Sequence, residues 1–249
     1  IRDWNNETKE WDKSIRVPVA YGPKEGFLAR MELRERTHSI EKVAMTLPRI
    51  AFEQISIEYD ASRVNNKMNY YVNEDGTIKS YKPDEFNIDH INNGKQVLLM
   101  YKVLGKEKFL KAARMLREQL KNQPRTKEGG FWHKKIYPYQ MWLDGLYMGA
   151  AFMAQYSSVF HDTAAFNEIT RQFVLAEEHT RDSQTGLLVH AWDAAKVQQW
   201  ADPVTGKSPH VWGRAMGWYG MALVDALDYY PVNHPGRDTL IQILNRFTA

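Results

Sequence analysis

Between residues 140 and 157 nearly every position is apolar. Met141, Trp142, Leu143, Leu146, Tyr147, Met148, Phe152, Met153 and Tyr156 leave no continuous polar face. A helix apolar on every side is stable only when buried within its own protein. The segment therefore predicts an inner helix with other elements packed around it. It is too short and too interrupted for a membrane span, which needs about 18 or more apolar residues in succession.

The rest of the chain supplies neighbours of matching pattern. Residues 91–104 and 107–121 carry apolar positions at helical spacing, among them Phe109, Leu110, Ala113, Met115, Leu116 and Leu120. The turn Leu104-Gly-Lys-Glu-Lys108 between them is short enough to join paired helices. Residues 163–179 are amphipathic, as an outer helix would be. A long loop from Thr180 to Pro209 leads to a third pair over 212–229, broken at Pro231 and Pro235-Gly236 and resuming near Asp238. Apolar inner helices thus alternate with amphipathic outer ones, and polar-aromatic loops precede the inner ones. The expectation is an all-α toroid of stacked helical hairpins. Residues 1–65 differ: they are dense in mixed charge, read as two short helices near 26–36 and 38–57, and hold no motif. No strand alternation, phosphate loop or dinucleotide fingerprint is evident.

Composition narrows the chemistry. Basic and acidic residues nearly balance, 33 against 30, so the basic stripe of a nucleic-acid binder is not expected. The chain has no cysteine, which excludes a thiolate nucleophile, a disulfide framework and Cys-ligated zinc. No His-x-x-x-His or carboxylate cluster has metal-ligand spacing, and no Gly-x-Ser-x-Gly occurs. The load of 8 Trp and 13 Tyr, with most Trp after residue 130, is compatible with sugar-stacking platforms or with ordinary core packing.

Asp144 is the main chemical candidate. A carboxylate two residues after Trp142, within an apolar helix, is costly to ionise and would be raised in pKa by desolvation, as a general acid needs. The alternative is a structural Asp paired with a buried Arg or capping a helix. Asp89, in Phe86-Asn-Ile-Asp-His-Ile-Asn92, stands where a helix N-cap is expected, but could equally be the second carboxylate of a hydrolase site. His133-Lys134-Lys135 reads as a solvated loop or as donors for a carboxylate. His190-Ala-Trp-Asp193 and Trp212-Gly-Arg-Ala-Met-Gly-Trp218 add another His, further Trp and Arg214, whose planar guanidinium suits bidentate carboxylate recognition.

These blocks together carry a resemblance. Glu128-Gly-Gly-Phe-Trp-His-Lys-Lys-Ile-Tyr-Pro-Tyr-Gln-Met-Trp-Leu-Asp-Gly-Leu-Tyr-Met148, His190-Ala-Trp-Asp193, Trp200-Ala-Asp-Pro203 and Trp212-Gly-Arg-Ala-Met-Gly-Trp-Tyr219 closely resemble the unsaturated rhamnogalacturonyl hydrolases of glycoside hydrolase family 105, from about Tyr70 onward. The resemblance implies an (α/α)6 barrel of six helical hairpins. It implies removal of a 4,5-unsaturated galacturonosyl residue from lyase-generated oligosaccharides by hydration of the C4=C5 bond, with no metal or organic cofactor. The implied partner is an anionic unsaturated oligosaccharide, with neither nucleic acid nor membrane. Asp144 matches the family's catalytic acid/base and Asp89 its second active-site carboxylate. His133, Trp142, His190, Trp212, Arg214 and Trp218 match positions lining the sugar pocket, and Lys134 joins that set.

Residues 1–65 lack the aromatic-rich first hairpin of the family, and the chain ends at Ala249 inside an apparent helix. The resemblance therefore expects a single toroid domain with an atypical start and missing C-terminal hairpins. It keeps open an unsaturated glucuronyl hydrolase acting on other polysaccharides, and a non-catalytic sugar-binding fragment. Cytoplasmic and periplasmic or secreted placements are both compatible, and the sequence sets no oligomeric state.

Overall fold

The computed structural model describes residues 70–248, together with the backbone of four strands in the first part of the chain. The chain divides into two compact units, Ile1–Arg63 and Val64–Ala249.

In the first unit, β1 (Trp4–Asn5) pairs antiparallel with β2 (Glu10–Trp11), and β3 (Phe27–Arg34) pairs antiparallel with β4 (Ser39–Leu47). The helices expected near 26–36 and 38–57 are thus corrected to a strand pair, with residues 48–57 outside the described residues. The physical reason is a period of two. Phe27, Ala29, Met31 and Leu33 alternate with Leu28, Arg30, Glu32 and Arg34, and the first set registers against Leu47, Met45, Val43 and Ile40. The ladder shifts between Met31 and Leu33, where a bulge adds a residue.

Among the described residues the second unit contains three helical hairpins. The first joins α1 (Gly94–Leu104) to α2 (Glu107–Lys121) through Gly105, whose φ of 65° supplies the left-handed turn after α1. The second runs from the short α3 (Leu143–Gly145) through a π-helical turn (Leu146–Ala150) into α4 (Ala151–Phe160), then back along α5 (Ala165–Thr180). The third joins α6 (Gly213–Leu227) to α7 (Pro235–Thr248). Each inner helix packs on its outer partner. Inner α4 also packs on α1 and α6, and outer α5 on α7.

This is the layering expected from the sequence, and the core records it. Leu98, Met100, Phe152, Met153, Ala222 and Leu223 of the inner helices are fully buried, as are Phe109, Leu120, Ile169, Phe173 and Leu240 of the outer ones. Each large side chain so buried contributes about 1.5–3 kcal/mol against exposure. Among the described residues no helix is long and apolar enough to cross a membrane.

The apolar segment itself departs from a plain helix. Its first residues form β5 (Gln140–Trp142), paired with β6 (Ala191–Asp193) so that Trp142 stands opposite Ala191. Helix begins only at Leu143, whose amide donates to the His190 carbonyl at 3.0 Å. The strand pairing satisfies this backbone before intrahelical bonds can form. Trp142 and Asp144 therefore lie on either side of a strand-to-helix junction.

Candidate active site

The site is assembled from the ends of these elements. A 3-10 turn, Ile88–Asn93, precedes α1, and its cap is Asn87, whose side chain accepts the Asp89 amide at 3.0 Å. The capping role expected of Asp89 thus falls to Asn87, because the N-terminus lies two residues earlier than the helical spacing suggests. Asp89 is left with its carboxylate free for other partners. Lys134 Nζ lies 2.7 Å from Oδ2, and His133 Nε2 lies 3.3 Å from Oδ1. Burial opposes ionisation of Asp89, but the hydrogen bonds and charges of His133 and Lys134 outweigh it and hold the carboxyl well below the usual range.

His133 and Lys134 sit in a loop closed on itself. The His133 amide donates to the Gln140 carbonyl at 2.8 Å, and Lys134 bridges to Tyr137. Tyr139 adopts φ 63°, turning the chain from Pro138 into β5. The loop lays two rings on the Trp142 indole: His133 at a centroid distance of 4.7 Å and 5° between planes, and Tyr137 at 5.1 Å and 12°. The indole Nε1 donates to Gln140 Oε1 at 3.1 Å, which fixes its rotation.

Asp144 occupies the first turn of α3. It is half-buried, it caps no helix end, and its Oδ2 is buried without a hydrogen-bond partner among the described residues. Among those residues it has no ion-pair partner either, so neither structural role weighed from the sequence is met by them. The following residue, Gly145, brings the helix against His133: a Cβ there would lie 3.0 Å from His133 Nδ1. His133 therefore links the Asp144 segment to Asp89. The π-helical turn that follows is a rare conformation that is frequent at functional sites.

His190 lies beside this group. Its ring is 6.2 Å from that of Trp142, 6.1 Å from Trp200 and 6.2 Å from Trp212, and Ser208 Oγ lies 2.8 Å from its Nδ1. Arg214 is exposed with its guanidinium 3.9 Å over the Trp212 ring, an arrangement that leaves its donors for a ligand. Trp218 stands apart from these contacts and packs instead on Tyr147 at 4.6 Å. Lys95 Nζ covers the other partner of that pair, 3.3 Å from the Tyr147 centroid. Burial lowers the Lys95 ammonium to about 8, against a raising effect of Asp225.

Three contributors escaped sequence reasoning. Tyr137 stands inside the quoted 128–148 block, where its place next to Lys134 was the available signal. Trp200 stands in its own quoted block, but only the fold sets it against His190. Asp193, fully buried, accepts the amides of Ala195 at 3.0 Å, Val197 at 2.8 Å and Gln198 at 2.9 Å, and so shapes the loop leading to Trp200. Among the described residues no group of three His, Cys, Asp or Glu could hold a metal ion.

Comparison with known proteins places this arrangement. The family model described as Glycosyl Hydrolase Family 88 matches residues 52–249. A second model, the T4-like virus Myoviridae tail sheath stabiliser, matches residues 1–90, a region that includes the β-strand unit. A solved glycoside hydrolase of family 105 from C. acetobutylicum ATCC 824 is 50% identical with a TM-score of 0.76, covering 79% of this chain and 55% of its own. The unsaturated rhamnogalacturonyl hydrolase YesR of Bacillus subtilis (strain 168) is 32% identical over 154 residues, 59% of this chain and 43% of that protein. Protein Atu3128 of Agrobacterium fabrum is 43% identical over 84 residues, 34% of this chain and 36% of that protein. The chain thus spans between about a third and just over half of the length of these relatives. The hairpins carry the (α/α)6-barrel pattern of such neighbours, and the chain belongs to the glycosyl hydrolase family 88 group, with its likeness running to family 105.

Proposed function

We propose that the chain carries the catalytic segment of an unsaturated rhamnogalacturonyl hydrolase, which removes a 4,5-unsaturated galacturonosyl residue from the non-reducing end of lyase-generated oligosaccharides. The observation that carries this reading is the contrast between two carboxylates on either side of His133, which contacts Asp89 and packs against Gly145, the residue after Asp144. Asp89 is held ionised by Lys134 and His133, whereas Asp144 has an oxygen without a partner among the described residues. Carboxylates in unlike environments suit unlike roles.

In this reading Asp144, as the acid, gives its proton to C4 of the enol ether. Positive charge then develops at C5 and the ring oxygen, and ionised Asp89 offsets it. Water adds at C5, and its proton returns to the Asp144 carboxylate. The C5 hemiketal opens to a ketone, which leaves a hemiacetal at C1. Collapse of that hemiacetal to the aldehyde expels the neighbouring sugar as its alcohol. One water is consumed, and two carbon–oxygen bonds are broken: the ring C5–O5 bond as the hemiketal opens and the C1–O glycosidic bond as the hemiacetal collapses. Trp142, Trp212 and His190 form the wall against which the sugar stacks, and Arg214 receives the uronate carboxylate by paired hydrogen bonds. Lys134 serves the same anion while holding Asp89.

The test is incubation with lyase-generated unsaturated rhamnogalacturonan disaccharide while following the ultraviolet absorbance of the conjugated uronate. The expected result is loss of absorbance with release of rhamnose. Faster loss with unsaturated glucuronyl disaccharides would reassign the substrate class. Binding without loss on either substrate would make the chain a sugar-binding module.

A further inference from the structure

Behind the site, hidden from the sugar wall, runs a relay of buried amides. Gln123, just past the end of α2, is 2% exposed. Its Nε2 donates both protons, to the Phe86 carbonyl at 2.7 Å and to the Trp132 carbonyl at 2.8 Å. Its Oε1 accepts from Gln119 Nε2 at 3.1 Å, and Gln119 Oε1 accepts from the Tyr81 hydroxyl at 2.7 Å. Burial pushes the Tyr81 phenol up, so it keeps its proton and remains the donor. Every amide therefore has one orientation, and aligned hydrogen bonds in a low-dielectric interior strengthen one another.

The two carbonyls belong to separate parts of the chain. Phe86, with φ 45°, immediately precedes Asn87, the cap of the turn that holds Asp89. Trp132 immediately precedes His133 and Lys134, the two groups that touch Asp89. One side chain thus joins the segment bearing the carboxylate to the segment bearing its two partners. A second bond joins them nearby, from the Ile88 amide to the His133 carbonyl at 3.1 Å. Other long side chains could fill the volume of Gln123, but among uncharged ones only a primary amide of this length supplies both donors.

We infer that Gln123 is a positioning residue for the Asp89–His133–Lys134 group, acting through the Phe86 and Trp132 carbonyls and itself making no contact with substrate. The inference rests on the role proposed above for Asp89. Among the described residues, the charged or titratable groups in contact with Asp89 are His133 and Lys134. Loosening the clamp should let both retreat and return the carboxyl toward its ordinary behaviour.

The test compares the intact chain with Gln123→Leu and Tyr81→Phe, labelled with 13C at the Asp carboxyls, using Asp89→Asn to assign the resonance. In Gln123→Leu the Asp89 titration is expected to move upward. Turnover of the unsaturated disaccharide should fall roughly tenfold to a hundredfold, the scale of sub-ångström to ångström misplacement, with a smaller change in KM. Tyr81→Phe should shift both in the same direction by less. A drop in melting temperature with Asp89 titration and turnover unchanged would make the relay merely structural and overturn the inference. If Gln123→Leu does not fold, an unmoved Asp89 titration in Tyr81→Phe overturns it as well. Absence of turnover in the unaltered chain would defeat the functional proposal alone, because the titration decides the inference without activity.

Discussion

The imidazole of His133 lies parallel to the indole of Trp142, 4.7 Å away with 5° between planes, while its Nε2 reaches Asp89 Oδ1 at 3.3 Å. A single buried ring thus joins the aromatic wall to the ionised carboxylate. Its other edge is set against Gly145, next to Asp144. The site's geometry therefore depends on contacts among three loop and helix ends, and this dependence yields specific expectations.

Asp144→Asn removes the proposed proton donor while keeping the size and polarity of the side chain. Turnover of the unsaturated disaccharide should fall by about 10²–10⁴, the usual worth of a positioned acid–base group. Binding measured by calorimetry should persist. Retained turnover would assign the chemistry to another group.

With the role proposed for it, Asp89 should tie pH to both activity and stability. Its folded pKa is depressed, so its ionisation stabilises the fold above the unfolded value of about 3.9 and that contribution is lost as pH falls through the folded value. Removing one cation in Lys134→Met should raise the folded pKa, reduce this acid-sensitive contribution and move the acid limb of the activity profile upward. The carboxylate is partly exposed, so the stability change should be modest. Urea unfolding at neutral pH and near pH ~3 checks it, and an unchanged acid limb contradicts it.

Arg214→Lys keeps the charge but loses the planar fork over Trp212. KM for the unsaturated disaccharide should rise about tenfold, equivalent to roughly 1.4 kcal/mol, while kcat changes less. Equal affinity of both forms for the substrate would show that Arg214 does not clamp the carboxylate.

Gly94→Ala tests the packing beneath the site. A Cβ there would lie 2.5 Å from the Phe152 ring and 3.1 Å from Leu116, between α1 and its neighbours α4 and α2. Overpacking of this kind costs about 1–3 kcal/mol. Thermal unfolding should show a clear loss, and an unchanged melting temperature would mean that Phe152 rotates away freely.

The layered helices were legible because apolar spacing is a local property. The all-apolar segment, the amphipathic 107–121 and 163–179, and the turn at Gly105 each carry their signal within a few residues. The strands Phe27–Arg34 and Ser39–Leu47 read as helices in the sequence, because an alternation with Leu28 between Phe27 and Ala29 is weak until the pairing register is known. Asp89 shows where local reading ends. From the sequence it serves as well for a cap as for a site residue, because its partners lie more than forty positions away in the 133–134 loop. Gln123 carried no sequence signal at all, since the role inferred for it depends on two carbonyls that only the fold brings together.

What the sequence alone determined is the set of chemical groups and the helical scaffold: Asp144, Asp89, the Trp-rich blocks, and inner helices that must be buried because no side of them is polar. Only the tertiary structure decided which groups are paired. It delayed the start of the apolar helix to Leu143, one residue before Asp144, by a strand pairing over Gln140–Trp142, gave the cap to Asn87, bound Asp89 to Lys134 and His133, and left an oxygen of Asp144 without a partner among the described residues. Hydrogen bonds and ion pairs act over about 3 Å in space regardless of separation along the chain, so local periodicity places an element without specifying which distant side chain its carboxylate will meet.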